Sequence, residues 1–170
     1  MIKTKRLNIY PASDEQMETL IAEENIPELK AAYQEMLDGC RLHPEDRLWS
    51  VIWIMERKDG TGTIIGNLSF KGISEEGMVE IGYGTNPEFE GLGYMTEAVS
   101  AVVEWAEQQP GVRVVEAEAE EGNLASIRVL EKCGFTRTGT MGEEGPRFSR
   151  KYKLSAIINL RVRDKSEYKG

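Results

Sequence analysis

The sequence predicts a single mixed α/β (α+β) domain in which helices cover both faces of a sheet. Three observations predict it. Apolar periodicity switches between 2 and about 3.6 residues along the chain, first where Arg6 to Tyr10 gives way to Asp14 to Glu24. Alternating segments between Trp49 and Thr85 are separated by short glycine-containing turns. The third of these segments runs through a glycine-rich loop straight into an amphipathic helix. The 170 residues, 40% hydrophobic and 29% charged, suit one ordinary domain able to bury a core.

Each element has a local cause. Leu7 and Ile9 alternate with polar neighbours, which predicts a strand over Arg6 to Tyr10 ended by Pro11. Ser13 or Asp14 can cap a helix whose inner face carries Met17, Leu20 and Ile21. Pro27 opens a second helix bearing Leu29, Tyr33, Met36 and Leu37. Trp49 to Arg57 is rich in β-branched and aromatic residues, turns at Lys58-Asp59-Gly60, and pairs with Thr63 to Phe70 as a hairpin. Met78 to Thr85 alternates Val79, Ile81 and Tyr83 with Glu80 and Gly82, completing a three-stranded meander. Tyr94 to Gln108 places Met95, Ala98, Val99, Val102, Trp105 and Ala106 at helical steps and stops before Pro110-Gly111. Val112 to Ala119 returns as a strand, Asn123 caps a helix over Leu124 to Cys133, and Gly134 terminates it. Thr136 to Thr140 and Arg147 to Leu154 close the sheet, giving seven strands. The domain is placed at 1–154; in the extension 155–170, SAIINLRVRD alternates well enough for an edge strand, the DKSEYKG after it reads as disordered, and the extension is left unassigned.

Composition narrows the partners. Acidic residues outnumber basic ones 29 to 21, a net charge of -8 that repels a phosphate backbone, so no nucleic-acid partner is expected. The same charge would attract cationic amines, or serve solubility alone. No apolar run nears the roughly 20 residues of a membrane span, and MIKTKRLNIYPASDEQ lacks the apolar core of a leader, so a cytoplasmic protein without a membrane partner is expected. Cys40 and Cys133 read as reduced structural thiols, and no metal site is expected.

The chemistry concentrates where the strand ending at Thr85 passes Asn86-Pro87 and enters EFEGLGYMTEA, Glu88 to Ala98. Amides of a first helical turn lack internal partners, the helix dipole is positive there, and Gly91 and Gly93 let backbone approach an anion. A dinucleotide fingerprint is excluded because Thr96 stands where its third glycine belongs, and no Gly-Lys-Ser or Gly-Lys-Thr is present for a P-loop.

TKRL (Thr4 to Leu7), IIGNLSF (Ile64 to Phe70), VEIGYGTNPEFEGLGYMTEA (Val79 to Ala98) and NLASIRVLEKCGF (Asn123 to Phe135) together resemble the GNAT superfamily of N-acetyltransferases. The branch in view is similar to the Rim-type ribosomal-protein N-terminal acetyltransferases. The resemblance spans about Thr4 to Leu154. It implies a splayed, largely antiparallel sheet with acetyl-CoA between the strand ending at Thr85 and the strand ending near Ala119. It also implies that the backbone of Tyr83, Gly84 and Thr85 pairs with the pantetheine arm, while the amides of Gly91, Leu92, Gly93, Tyr94, Met95 and Thr96 hold the pyrophosphate. Gly82 and Gly84 suit such an approach, or a bulge. The chain departs from the family's loop at Glu90 and Met95. A carboxylate beside a pyrophosphate is unfavourable, so Glu90 is expected to turn to solvent or to a cation.

By the same resemblance Glu80 takes the amine proton, often through water, although it also reads as a surface carboxylate beside Glu75, Glu76 and Glu88. Leu130 stands where many relatives carry a tyrosine acid. Ser126 is suited to hydrogen bond the CoA sulfur and Asn123 to position the acetyl arm; both also read as helix caps. Tyr83, Tyr94, Trp49 and Trp53 lie near the site or in the core, and His43 ranks low. The implied reaction moves an acetyl group to a primary amine, either a protein N-terminus or a small-molecule amine. The alternative is a non-catalytic module that holds CoA or a peptide. Monomer and homodimer are both open.

Overall fold

Leu7 and Ile9, the apolar positions of the first alternating segment, are fully buried in a strand, and the same conversion of pattern into structure holds along the chain. The computed structural model describes residues 1–151, so the extension at 155–170 lies outside the described residues. In chain order the elements are β1 (Ile2–Lys3), β2 (Leu7–Pro11), α1 (Asp14–Glu23), α2 (Pro27–Leu42), β3 (Ile52–Arg57), β4 (Ile64–Ile73), β5 (Met78–Thr85), α3 (Tyr94–Glu107), β6 (Val114–Glu118), α4 (Leu124–Lys132), β7 (Thr136–Met141) and β8 (Pro146–Lys151). Short 3-10 turns cover Pro44–Trp49 and Pro87–Phe89. The strands form one sheet in the order β1-β2-β3-β4-β5-β6-β8-β7, antiparallel throughout except where β5 meets β6.

Three differences from the sequence reading have plain causes. An eighth strand, β1, is added because Ile2 and Lys3 fold back on Ile9 and Asn8, a pairing two residues long. Trp49 ends the 3-10 turn instead of starting β3; its ring meets Phe70 edge-on at 5.0 Å and lies 5.3 Å from Trp105, while Trp53 lies 4.9 Å from Trp105. These tryptophans clamp α3 to the sheet. The bulge does not fall at Gly82 or Gly84, where the register with β4 is continuous; it falls in β4 between Phe70 and Ile73, at Gly72 with φ of +78°.

Ser13 is the cap of α1, accepting from the Gln16 amide while Gln16 Oε1 accepts from the Ser13 amide. Helix α3 buries Met95, Ala98, Val99, Val102, Val103 and Ala106. Each such valine contributes about 1.5 to 3 kcal/mol relative to exposure, which holds the helix against the sheet. Cys40 and Cys133 are buried free thiols.

Candidate functional site

A parting of two strands makes the site. β5 pairs with β6 only over Met78, Val79 and Glu80, yet stays paired with β4 as far as Thr85. Beyond Glu80 the β6-facing edge of β5 is therefore without a strand partner among the described residues. A side chain at Gly66 would collide with the Gly84 carbonyl, so the glycine of IIGNLSF lets β4 lie close behind that edge. Gly82 and Gly84 have open space where a side chain would stand. A cavity of about 570 Å³ follows the edge, walled by Tyr83, Gly84 and Thr85 on one side and by α4 on the other.

Backbone builds one end of this cleft. Gly91 (φ +73°) and Gly93 (φ +79°) turn the chain into α3, and no side chain caps the helix. The first backbone donation inside the helix is from Glu97 to the Gly93 carbonyl at 3.2 Å, and the amides of Gly91 through Thr96 donate to no described acceptor. Six consecutive open donors at a helix start form an anion site. Arg128 and Lys132, one turn apart on α4, also line the cavity, and neither makes an ion pair among the described residues.

Side chains build the other end. The Tyr83 hydroxyl lies 3.1 Å from Ser126 Oγ and 3.2 Å from the Ser126 carbonyl, and Asn123 Oδ1 accepts from the Ser126 amide at 3.0 Å. Burial pushes the Tyr83 phenol up to about 12, so it keeps its proton at neutral pH. Between the ends, Cys133 Sγ reaches the Thr96 carbonyl at 3.4 Å and ties α4 to the first turn of α3. Burial raises that thiol to about 11, so it keeps its proton at neutral pH.

A family model described as the acetyltransferase (GNAT) domain matches residues 6–136. The chain belongs to the GNAT family. Among curated relatives of this GNAT chain, the uncharacterized N-acetyltransferase YjdG of Bacillus subtilis is 39% identical over 84 residues, covering 49% of each chain. The match thus spans about half the length of that relative. Among solved structures, the ribosomal-protein-S5-alanine acetyltransferase from Vibrio fischeri superposes with a TM-score of 0.70 at 17% identity, over 89% of this chain and 96% of the other. Spermidine N-acetyltransferase from Vibrio cholerae, in complex with CoA and spermine, superposes with a TM-score of 0.68 at 14% identity, over 88% and 97%. At those identities the likeness is one of fold. The eight-stranded open sheet is the GNAT sheet, and the family's acyl donor is acetyl-CoA.

Of the residues singled out in the sequence, Tyr83, Gly84, Thr85, Glu90, Gly91, Gly93, Tyr94, Met95, Thr96, Asn123 and Ser126 all line the cleft of the GNAT chain. Leu92 does not: its side chain is 55% exposed and its carbonyl accepts from Arg6. Glu90 is exposed and makes no ion pair with a described residue. Glu80 lies outside the cleft lining, at the last position before the strands part, bound to Lys71 at 2.6 Å and Arg147 at 3.1 Å. Burial pushes its pKa up, but those two cations outweigh burial and hold it below the ordinary glutamate value. Arg147 also binds Glu116 and Glu118, so Glu80 belongs to a charged network across β5, β6 and β8. Leu130 is core. His43 is exposed beside Glu45. The sequence reading missed Arg128 and Lys132, whose signal is their four-residue spacing behind the Asn123 cap. Among the described residues no group of metal-binding side chains gathers, and no helix is long and apolar enough to cross a membrane.

Proposed function

We propose that this GNAT chain transfers the acetyl group of acetyl-CoA to a primary amine by direct attack in a ternary complex. One observation carries the reading: six open amides, Gly91 to Thr96, stand at the end of a strand whose edge has just become free. The amides suit a pyrophosphate and the free edge of Tyr83 to Thr85 suits an amide-bearing arm, which adds to it as a strand would. Arg128 and Lys132 supply the positive side chains that the loop, with Glu90 in place of a base, does not.

Acetyl-CoA supplies an activated thioester carbonyl. As the amine nitrogen bonds to that carbon and the carbon–sulfur bond breaks, negative charge collects on sulfur, and Ser126 is the hydroxyl placed to donate to it. The one proton of Tyr83, kept at neutral pH, meets the Ser126 carbonyl in the free protein; turned to Ser126 Oγ, which lies 3.1 Å away, it frees the serine proton for the sulfur. Tyr83 thus covers from the sheet a role that Leu130 leaves open on the helix. Asn123 fixes the serine through its amide. Glu80 serves the acceptor side once Lys71 or Arg147 releases it, since the two cations cancel its charge and lower its basicity; freed, it takes up the amine proton through water. The acceptor is a primary amine on a protein N-terminus or a small molecule; the two solved structures of like fold are named for a ribosomal-protein alanine and for spermidine.

Thiol release from acetyl-CoA, measured against a panel of peptides, polyamines and amino acids, tests the reading. Release that requires an amine supports it. Calorimetric binding of CoA without release from any amine would leave a binding module, and no binding of CoA would sink both.

A further inference from the structure

The TKRL motif at the N-terminus has no part in the cleft, yet one of its residues grips the phosphate end from behind. We infer that Thr4, Arg6 and Glu97 form a strap that holds the loop Gly91 to Gly93 and the first turn of α3 in their anion-binding conformation. Arg6 is thereby a positioning residue for CoA. This rests on the function proposed above.

The need for a strap follows from the loop itself. Two left-handed glycines, no helix cap and six unpartnered amides leave that segment with few internal restraints. Arg6 lies in the crossing between β1 and β2, and its planar fork reaches three points of the segment at once. Nε donates to Glu97 Oε2 at 2.7 Å, Nη1 donates to the Leu92 carbonyl at 3.0 Å, and the guanidinium carbon sits 4.2 Å from the centroid of the Tyr94 ring. The other carboxylate oxygen of Glu97 accepts from Thr4 Oγ1 at 2.5 Å and from the Arg6 amide at 2.8 Å. Burial pushes the Glu97 pKa up, but Thr4 and Arg6 outweigh it and hold the carboxyl below its ordinary value. Without Arg6, an uncompensated carboxylate would stand in the first turn of the helix that must receive an anion. A lysine cannot replace the fork, because a single ammonium cannot meet the carboxylate, the carbonyl and the ring face together.

Arg6→Lys and Thr4→Val in the full chain test the strap, with acetyl-CoA and acetyl-pantetheine, which lacks the phosphates, as alternative donors. In Arg6→Lys, kcat/KM for acetyl-CoA is expected to fall about tenfold, mostly through KM, while that for acetyl-pantetheine changes less than about twofold. Amide hydrogen exchange at Glu97, whose amide donates to the Gly93 carbonyl, is expected to quicken in the free protein. Thr4→Val, which removes one arm, gives the same pattern at smaller size. Equal losses on both donors would make the contact merely structural and overturn the inference, as would unchanged exchange at the Glu97 amide. A wild-type chain that fails to bind CoA would overturn the proposed function, a result the exchange measurement does not depend on.

Discussion

The two ends of the cleft are made of different material. The end proposed for the pyrophosphate is backbone: open amides from Gly91 to Thr96, set by two glycines and by the position of α3. The end proposed for the acetyl group is side chain: two hydroxyls, Tyr83 and Ser126, and the cap Asn123. A backbone site tolerates changes of side chain but fails when the chain's path changes. A side-chain site keeps its shape and loses function one atom at a time.

The sharpest way to break this contrast is at Gly93. Gly93→Val forces a β-branched residue to φ of +79° and points its Cβ at Arg6, so CoA affinity measured by calorimetry is expected to fall about a hundredfold. If affinity survives, the amides are not the anchor. At the other end, Ser126→Ala and Tyr83→Phe are each expected to lower kcat about tenfold while KM for acetyl-CoA barely moves. Because the two hydroxyls act in series, the double variant should lose little more than either alone; additive losses would separate their roles.

Smaller effects sharpen the picture. Removing both exposed cations, Arg128→Ala with Lys132→Ala, should raise KM for acetyl-CoA severalfold at low salt and hardly at all at high salt, whereas Glu90→Arg should lower it. A salt-independent effect would mean packing rather than charge. Smallest is the acid response of stability. Glu80 and Glu97 have folded pKa values below the ordinary glutamate value of 4.5, so the stability they contribute is present above that value and is lost as pH falls through it and below. Thermal midpoints of Glu80→Gln should therefore depend less on pH below about 4.5 than those of the wild type.

The sequence was most legible where an interaction is local. Ser13 with Gln16 and Asn123 with Ser126 are three residues apart, and Gly91, Gly93 and Tyr94 describe one turn, so caps and loop could be read from spacing. Pairings between distant segments were not. Arg6 and Glu97 are 91 residues apart, and Tyr83 and Ser126 are 43 apart. Glu80 and Arg147 are separated by 67 residues, and the register of β5, β6 and β8 decides that they meet. That register turned Glu80 from a free carboxylate on an alternating strand into a member of an ionic network outside the cleft.

By itself, then, the sequence determined the order of elements, the glycine-rich anion loop and the family resemblance, because periodicity, capping and turn chemistry act over a few residues. Only the tertiary structure decided where β5 leaves β6, which cations face the cleft, that Tyr83 meets Ser126, and that Arg6 reaches Leu92, Tyr94 and Glu97. The physical reason is that each of these depends on how far two strands remain paired and how helices seat against them, and burial of the shared core sets both.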